Sequence, residues 1–137
     1  KEETGIDFVI NARTCAYWLD VAGEEEKFEI ACQRGNAFAQ AGADCVFVPG
    51  AIGEETVKKL AENIEAPLNI ILNGKFNDLK KLEKAGVRRL STGSGPARYI
   101  YGNTVEIARE LRCGKPEQIL SGWLSYNEAN EYFKDQI

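Results

Sequence analysis

The sequence contains no histidine and no methionine, and its four cysteines, Cys15, Cys32, Cys45 and Cys113, include no Cys-x-x-Cys pair. Without histidine, Ser–His and Cys–His nucleophile pairs are excluded. A zinc site would need all four thiolates, drawn from one end of the chain to the other, and the close ligand spacing of structural zinc sites is absent. The simpler reading is reduced, mostly buried cysteines of a cytoplasmic protein. Cys15 alone follows a strand end, where a reactive thiol would sit, but no histidine is there to activate it. No apolar run approaches the roughly 18–20 residues of a membrane span, and no basic–apolar–small signal segment opens the chain. GxGxxG, the P-loop, HExxH and paired carboxylates are missing too. Because methionine is absent, and because Lys1-Glu2-Glu3-Thr4-Gly5 reads as a helix end running into a strand, a preceding segment is expected.

What is present is the balance of a soluble globular protein: 137 residues, 44% hydrophobic and 28% charged. That length fits a single α/β domain over residues 1–137. The formal net charge is −4 and the basic residues are scattered, so neither a nucleic-acid surface nor a membrane is expected as partner.

Four short apolar runs recur, centred on residues 7–12, 45–48, 68–72 and 88–92. They are continuous rather than alternating, as suits strands buried on both faces of a parallel sheet. Between them apolar residues recur with a period near 3.6. Phe28, Ala31, Cys32, Gly35, Phe38 and Ala39 mark one helix face, and Val57, Leu60, Ala61 and Ile64 a second. Phe76, Leu79 and Leu82 mark a third, and Ala97, Ile100, Tyr101, Thr104, Ala108 and Leu111 a fourth, opened by Pro96. A terminal helix is expected at about 125–134, because Ser125 and Glu128 have capping-box spacing. Strand–helix alternation means right-handed parallel crossovers. Two architectures compete. One is a compact doubly wound, flavodoxin-like module. The other is half of a (β/α)8 barrel, since eight units take ~250 residues.

Either way, ligands meet the C-terminal ends of the strands. Arg13 stands just past the first, where its fork suits a carboxylate or phosphate, unless it is a structural ion pair. Val48-Pro49-Gly50 ends the second as a turn. Asn69 interrupts the third apolar run, either facing a polar interior or satisfying backbone groups. Ser91-Thr92-Gly93-Ser94-Gly95 ends the fourth before a helix and offers free N–H groups to an anion. Glu24-Glu25-Glu26 is most simply a solvated helix start, and Asp20 is the only acid close after the first strand. These residues can bind an anion but carry no acid–base apparatus.

Taken in order, Phe8-Val9-Ile10-Asn11-Ala12-Arg13-Thr14, Ala41-Gly42-Ala43-Asp44-Cys45-Val46-Phe47-Val48-Pro49-Gly50, Pro67-Leu68-Asn69 and Gly86-Val87-Arg88-Arg89-Leu90-Ser91 with Gly93-Ser94-Gly95 resemble one family. They are similar to strands five to eight of the isocitrate lyase/phosphoenolpyruvate mutase superfamily, in its phosphonomutase-like branch. Leu124-Ser125-Tyr126-Asn127-Glu128 resembles that branch's terminal segment. The resemblance implies the C-terminal half of a (β/α)8 barrel. It implies a lyase, decarboxylase or phosphonomutase acting on small α-keto or α-hydroxy carboxylates or phosphonates with Mg²⁺. It makes Arg13 the catalytic and substrate-gripping arginine and Asn69 a substrate-binding residue; Ser91 and Gly93 join them as substrate-site positions on the strength of the anion-binding turn. The Mg²⁺ ligands are expected outside this chain, which by itself would be inactive. Two departures stand out: Cys15 replaces the usual aspartate of Ala-Arg-Thr-Asp, and Pro49-Gly50 stands where some lyases carry a glutamate. Expected partners are the missing N-terminal half or a second copy in a homo-oligomer, with Val9, Val46 and Ile70 facing across the barrel axis and the helix around Ala97–Leu111 at an interface. The alternative is a truncated, non-catalytic module that binds anions or partner chains.

Overall fold

Each apolar run becomes a strand and each 3.6-period segment a helix. The computed structural model describes residues 3–50, 52–120 and 124–134. Strands β1 (Asn11–Arg13), β2 (Cys45–Val48), β3 (Leu68–Ile71) and β4 (Val87–Ser91) form one parallel sheet in the order β1-β2-β3-β4. Helices α1 (Glu24–Gln40), α2 (Glu54–Asn63) and α3 (Leu79–Lys84) connect them, and α4 (Gly95–Arg112), α5 (Glu117–Leu120) and α6 (Tyr126–Glu131) follow. The sequential order has no reversal point, which a doubly wound sheet requires. The flavodoxin-like alternative is therefore not what forms; the winding is that of a (β/α) barrel segment. The chain divides into two compact units, Lys1–Gly93 with the sheet and α1 to α3, and Ser94–Ile137 with α4 to α6.

Register sorts the strand side chains onto two faces. Ala12, Val46, Leu68 and Val87 pair across one row, and Val48, Ile70 and Leu90 across the next. This face meets the helices: Val46, Val48, Leu68, Ile70 and Val87 share a core with Ala31, Val57, Leu60, Ile64 and Leu82. Val46 and Ile70 thus do not look across the barrel axis, as the sequence led us to expect; they are sealed under the helices. The opposite face carries Asn11 beside Cys45, then Arg13, Phe47, Asn69 and Arg89 in one row, then Ile71 beside Ser91. An irregularity opposite Leu68 and Asn69 skips Arg88 and so keeps Arg89 on this face.

β1 is shorter than the expected run of 7–12 and lies later. Its pairing starts where the incoming chain reaches Asp44: Ile10 O accepts from Asp44 N and Cys45 N, and Ile10 N donates to Asp44 Oδ2. Phe8 and Val9, ahead of that point, are exposed. Glu3–Gly5 form a turn, and Lys1 and Glu2 lie outside the described residues.

The helices follow their patterns with three differences. In α1, Lys27 is buried among the apolar residues, and Gly35 lets Ile64 of the neighbouring segment come close. The third helix opens after Phe76, not at it. Asn73 Oδ1 accepts from Lys75 N and Phe76 N, holding a turn, and the Asp78 side chain caps α3 by accepting from Lys81 N at 3.1 Å. Phe76 is still buried, but as a loop residue. The short α5 carries no signal that the sequence reading used. In the second unit, Pro96 opens α4, Arg109 and Arg112 lie in its last turn, and none of its residues is buried. Ser125 and Glu128 form the expected capping box of α6. The cysteines are free, but Cys113 is exposed rather than buried. Among the described residues no helix is long and apolar enough to cross a membrane.

Candidate active site

Arg13, Asn69, Ser91 and Gly93 all lie in the first unit: Arg13 and Ser91 end β1 and β4, Gly93 follows β4, and Asn69 is the second residue of β3. The first three share the face opposite the helices. Asn69 is fully buried, and Ser91 Oγ lies 3.1 Å from its Nδ2 and 3.2 Å from its Oδ1. The amide therefore engages a neighbouring strand's side chain in a polar interior, and not the backbone. Gly93 takes φ +57 in the turn after β4, where a Cβ would stand 3.2 Å from Ile71 Cδ1. Arg13 shares the row of Asn69 with Phe47 between them, so their backbones are two strand spacings apart, roughly 10 Å.

Arg13 is exposed, and among the described residues no carboxylate pairs with it. Its Nε donates to Cys15 Sγ at 3.0 Å, and its Cζ lies 5.6 Å from the ring centre of Trp18 and 5.8 Å from that of Phe47. Arg89, on the same row in β4, also has no ion-pair partner among the described residues. Burial pushes the Cys45 thiol up, and the Arg89 charge partly offsets this. The face is thus cationic, with a buried amide between its two arginines.

The acids near the first strand end are otherwise engaged. Lys27, with only 9% of its side chain exposed, reaches Asp20 Oδ1 and Glu24 Oε1, each at 2.6 Å, and lies 5.8 Å from the Tyr17 ring centre. Hydrogen bonding to Lys27 holds the Asp20 carboxyl below the usual carboxylate range. Burial, with Glu24 close by, pushes the Tyr17 phenol up to about 12. Asp20 and Glu24 therefore fasten the β1–α1 loop to Lys27. Among the described residues no three His, Cys, Asp or Glu side chains gather as metal ligands. The described residues do not fit a Mg²⁺ site.

Sequence reasoning missed Phe47, Arg89 and Trp18. Phe47 and Arg89 lie two residues from Cys45 and Ser91, a spacing that places them on the same strand face. Trp18, on the loop after β1, had no such signal.

With this geometry in view, the family can be stated. The phosphoenolpyruvate phosphomutase family model matches residues 1–112, and the chain belongs to that family, within the isocitrate lyase/phosphoenolpyruvate mutase superfamily. It is similar to an uncharacterised protein of Mycobacterium tuberculosis, 36% identical over 87 residues, 64% of this chain and 32% of that one. It is also similar to the oxaloacetate decarboxylase of Pseudomonas fluorescens, 36% identical over 69 residues, 49% of this chain and 24% of that one. Among solved structures, one from Burkholderia cenocepacia J2315 described as a phosphonomutase superposes with a TM-score of 0.73 at 28% identity, over 79% of this chain and 44% of that one. A second from the same organism, described as a lyase/mutase, shares the fold with a TM-score of 0.82 at 24% identity, over 96% and 47%. The matched stretch thus spans about a third or less of the curated relatives and under half of each solved chain.

Proposed function

We propose that this chain is strands five to eight, the C-terminal half of a (β/α)8 barrel, and forms the anion-holding side of an active site. The enzyme would be a C–C lyase, decarboxylase or phosphonomutase acting on small α-keto or α-hydroxy carboxylates or phosphonates. The observation that carries this is the row Arg13–Phe47–Asn69–Arg89, cationic and polar on the face away from the helices. The similarity to a decarboxylase and to a structure described as a phosphonomutase supports the reaction class.

In this reading Arg13 holds the substrate oxyanion with charge-assisted hydrogen bonds. Asn69, locked by Ser91, keeps the row beside Arg13 polar, and the turn at Gly93 lets the backbone come close. Mg²⁺, which the family uses to hold an enolate, would be bound by residues other than those described here. Completion of the sheet would come from an N-terminal half or a second copy. Arg13 and Arg89 favour the former, because two copies facing through this row would set cation against cation. The exposed apolar residues of α4, Tyr99, Ile100, Tyr101 and Val105, suit a subunit contact in a homo-oligomer.

The test is Arg13→Ala in the assembled enzyme, with oxaloacetate and phosphonates as candidate substrates. Losing a charge-assisted contact worth ~1.5–3 kcal/mol should weaken substrate binding by roughly 10- to 150-fold. Near-normal affinity would remove Arg13 from the site. Absence of turnover or binding of any small α-keto acid, α-hydroxy acid or phosphonate would overturn the class.

A further inference from the structure

The guanidinium of Arg13 is held from three sides. Its Nε donates to Cys15 Sγ at 3.0 Å, and its Cζ lies 5.6 Å from the Trp18 ring centre and 5.8 Å from that of Phe47. Two of these neighbours stand on the β1–α1 loop, which is itself fastened. Leu19 N donates to Cys15 O at 2.9 Å, and the Lys27–Asp20 ion pair ties the far side of the same turn to α1.

This arrangement decides which edge of the arginine is available. A guanidinium carries five N–H donors. With the Nε hydrogen directed at sulfur, the other four lie on Nη1 and Nη2, so a bidentate oxyanion must meet the outer edge. The residue type at position 15 matters as well. A carboxylate there would put a negative charge against the guanidinium, whereas the cysteine takes the hydrogen bond and leaves the arginine's charge for a ligand. Trp18 is 55% exposed, so its indole still offers surface beside that edge.

We infer that Trp18 is the positioning residue of Arg13 and one wall of its anion subsite. Its ring holds the guanidinium with the Nη1–Nη2 edge presented, and it touches the small carboxylate or phosphonate bound there. This rests on the reading of Arg13 as the anion-holding residue, and the experiment separates the two.

The chain has two tryptophans, so Trp123→Phe leaves Trp18 as the single emitter. Titration of that variant with oxalate, and separately with inorganic phosphate, should change Trp18 emission saturably, with the midpoint found by calorimetry. Arg13→Gln should abolish both signals. In the otherwise native chain, Trp18→Ala should weaken oxalate binding roughly three- to tenfold at an unchanged thermal midpoint, while Trp18→Phe, which keeps a ring, should stay within about twofold. Binding that Arg13→Gln removes, but that leaves Trp18 emission and the Trp18→Ala affinity unchanged, overturns the role of Trp18 and leaves Arg13 in place. Binding indifferent to Arg13→Gln, or no binding at all, overturns both.

Discussion

Gly50→Ala should damage the fold and the anion site together. Gly50 follows β2 at φ +141, and an added Cβ would stand 2.7 Å from Tyr17 Cβ and 3.1 Å from Tyr17 C. Carbon atoms in good contact lie roughly 3.5–4.0 Å apart, so the β2 turn or the Tyr17 segment must move by most of an ångström. Overpacking of this kind costs ~1–3 kcal/mol, and a side chain at that φ adds a strain of order 1–3 kcal/mol. A combined loss of roughly 2–6 kcal/mol should lower the thermal midpoint of a chain this size by roughly 7–20 °C. Because Tyr17 precedes Trp18, the same displacement should carry the indole away from Arg13 and weaken oxalate binding. Urea unfolding followed by circular dichroism checks the stability, and calorimetry the affinity. Gly102→Ala is the control: it lies within α4 with nothing within 4 Å of an added Cβ, and should gain roughly 0.5–1 kcal/mol of helix stability. A Gly50→Ala protein within about 0.5 kcal/mol of wild type would refute the argument that this close approach fixes the loop.

Three further outcomes follow from the same geometry. A double-mutant cycle of Asn69→Leu and Ser91→Ala should show a coupling of roughly 0.5–1.5 kcal/mol in unfolding free energy, and additivity would mean the two side chains do not bond. The phenolate absorbance lost on Tyr17→Phe should titrate near pH 12 and not near 10. Since the folded pKa is the higher one, Tyr17 should contribute stability below pH 10 that disappears as pH rises towards 12. Asp20 has the opposite sign: its carboxyl is held low by Lys27, so its contribution is complete above the ordinary aspartate range and is lost as pH falls through its folded value. The stability difference between wild type and Asp20→Asn should therefore shrink in acid, and a gap constant down to pH 2 would contradict the ion pair.

The elements were legible because each depends on a local signal. Continuous apolar runs between turn residues gave β2, β3 and β4 almost to the residue, and the Ser125–Glu128 spacing gave the start of α6. The misses came from causes that apolar periodicity does not carry. β1 begins late because a strand exists only where a neighbour meets it, and β2's chain arrives only at Asp44. Helix α3 begins late because Asn73 and Asp78 make side-chain bonds that outcompete the helical pattern around Phe76. Neither cause is visible in the periodicity of the segment itself.

The face assignment failed for a more general reason, and it bears on the site. A strand buried on both sides has no polar–apolar alternation, so Val46 and Phe47 read alike although one faces the helices and the other the arginines. Asn69 fixes the phase of β3, being the one polar residue in its run, and register then carries that phase to Phe47, Arg13 and Arg89. Had the asparagine been used as the reference, Ile70 beside it would have gone to the helix side, and Val46 with it. The resemblance named Arg13 and Asn69 singly. What joined them was the pairing of the strands, and what oriented Arg13 was a loop whose tryptophan no strand pattern could have pointed to.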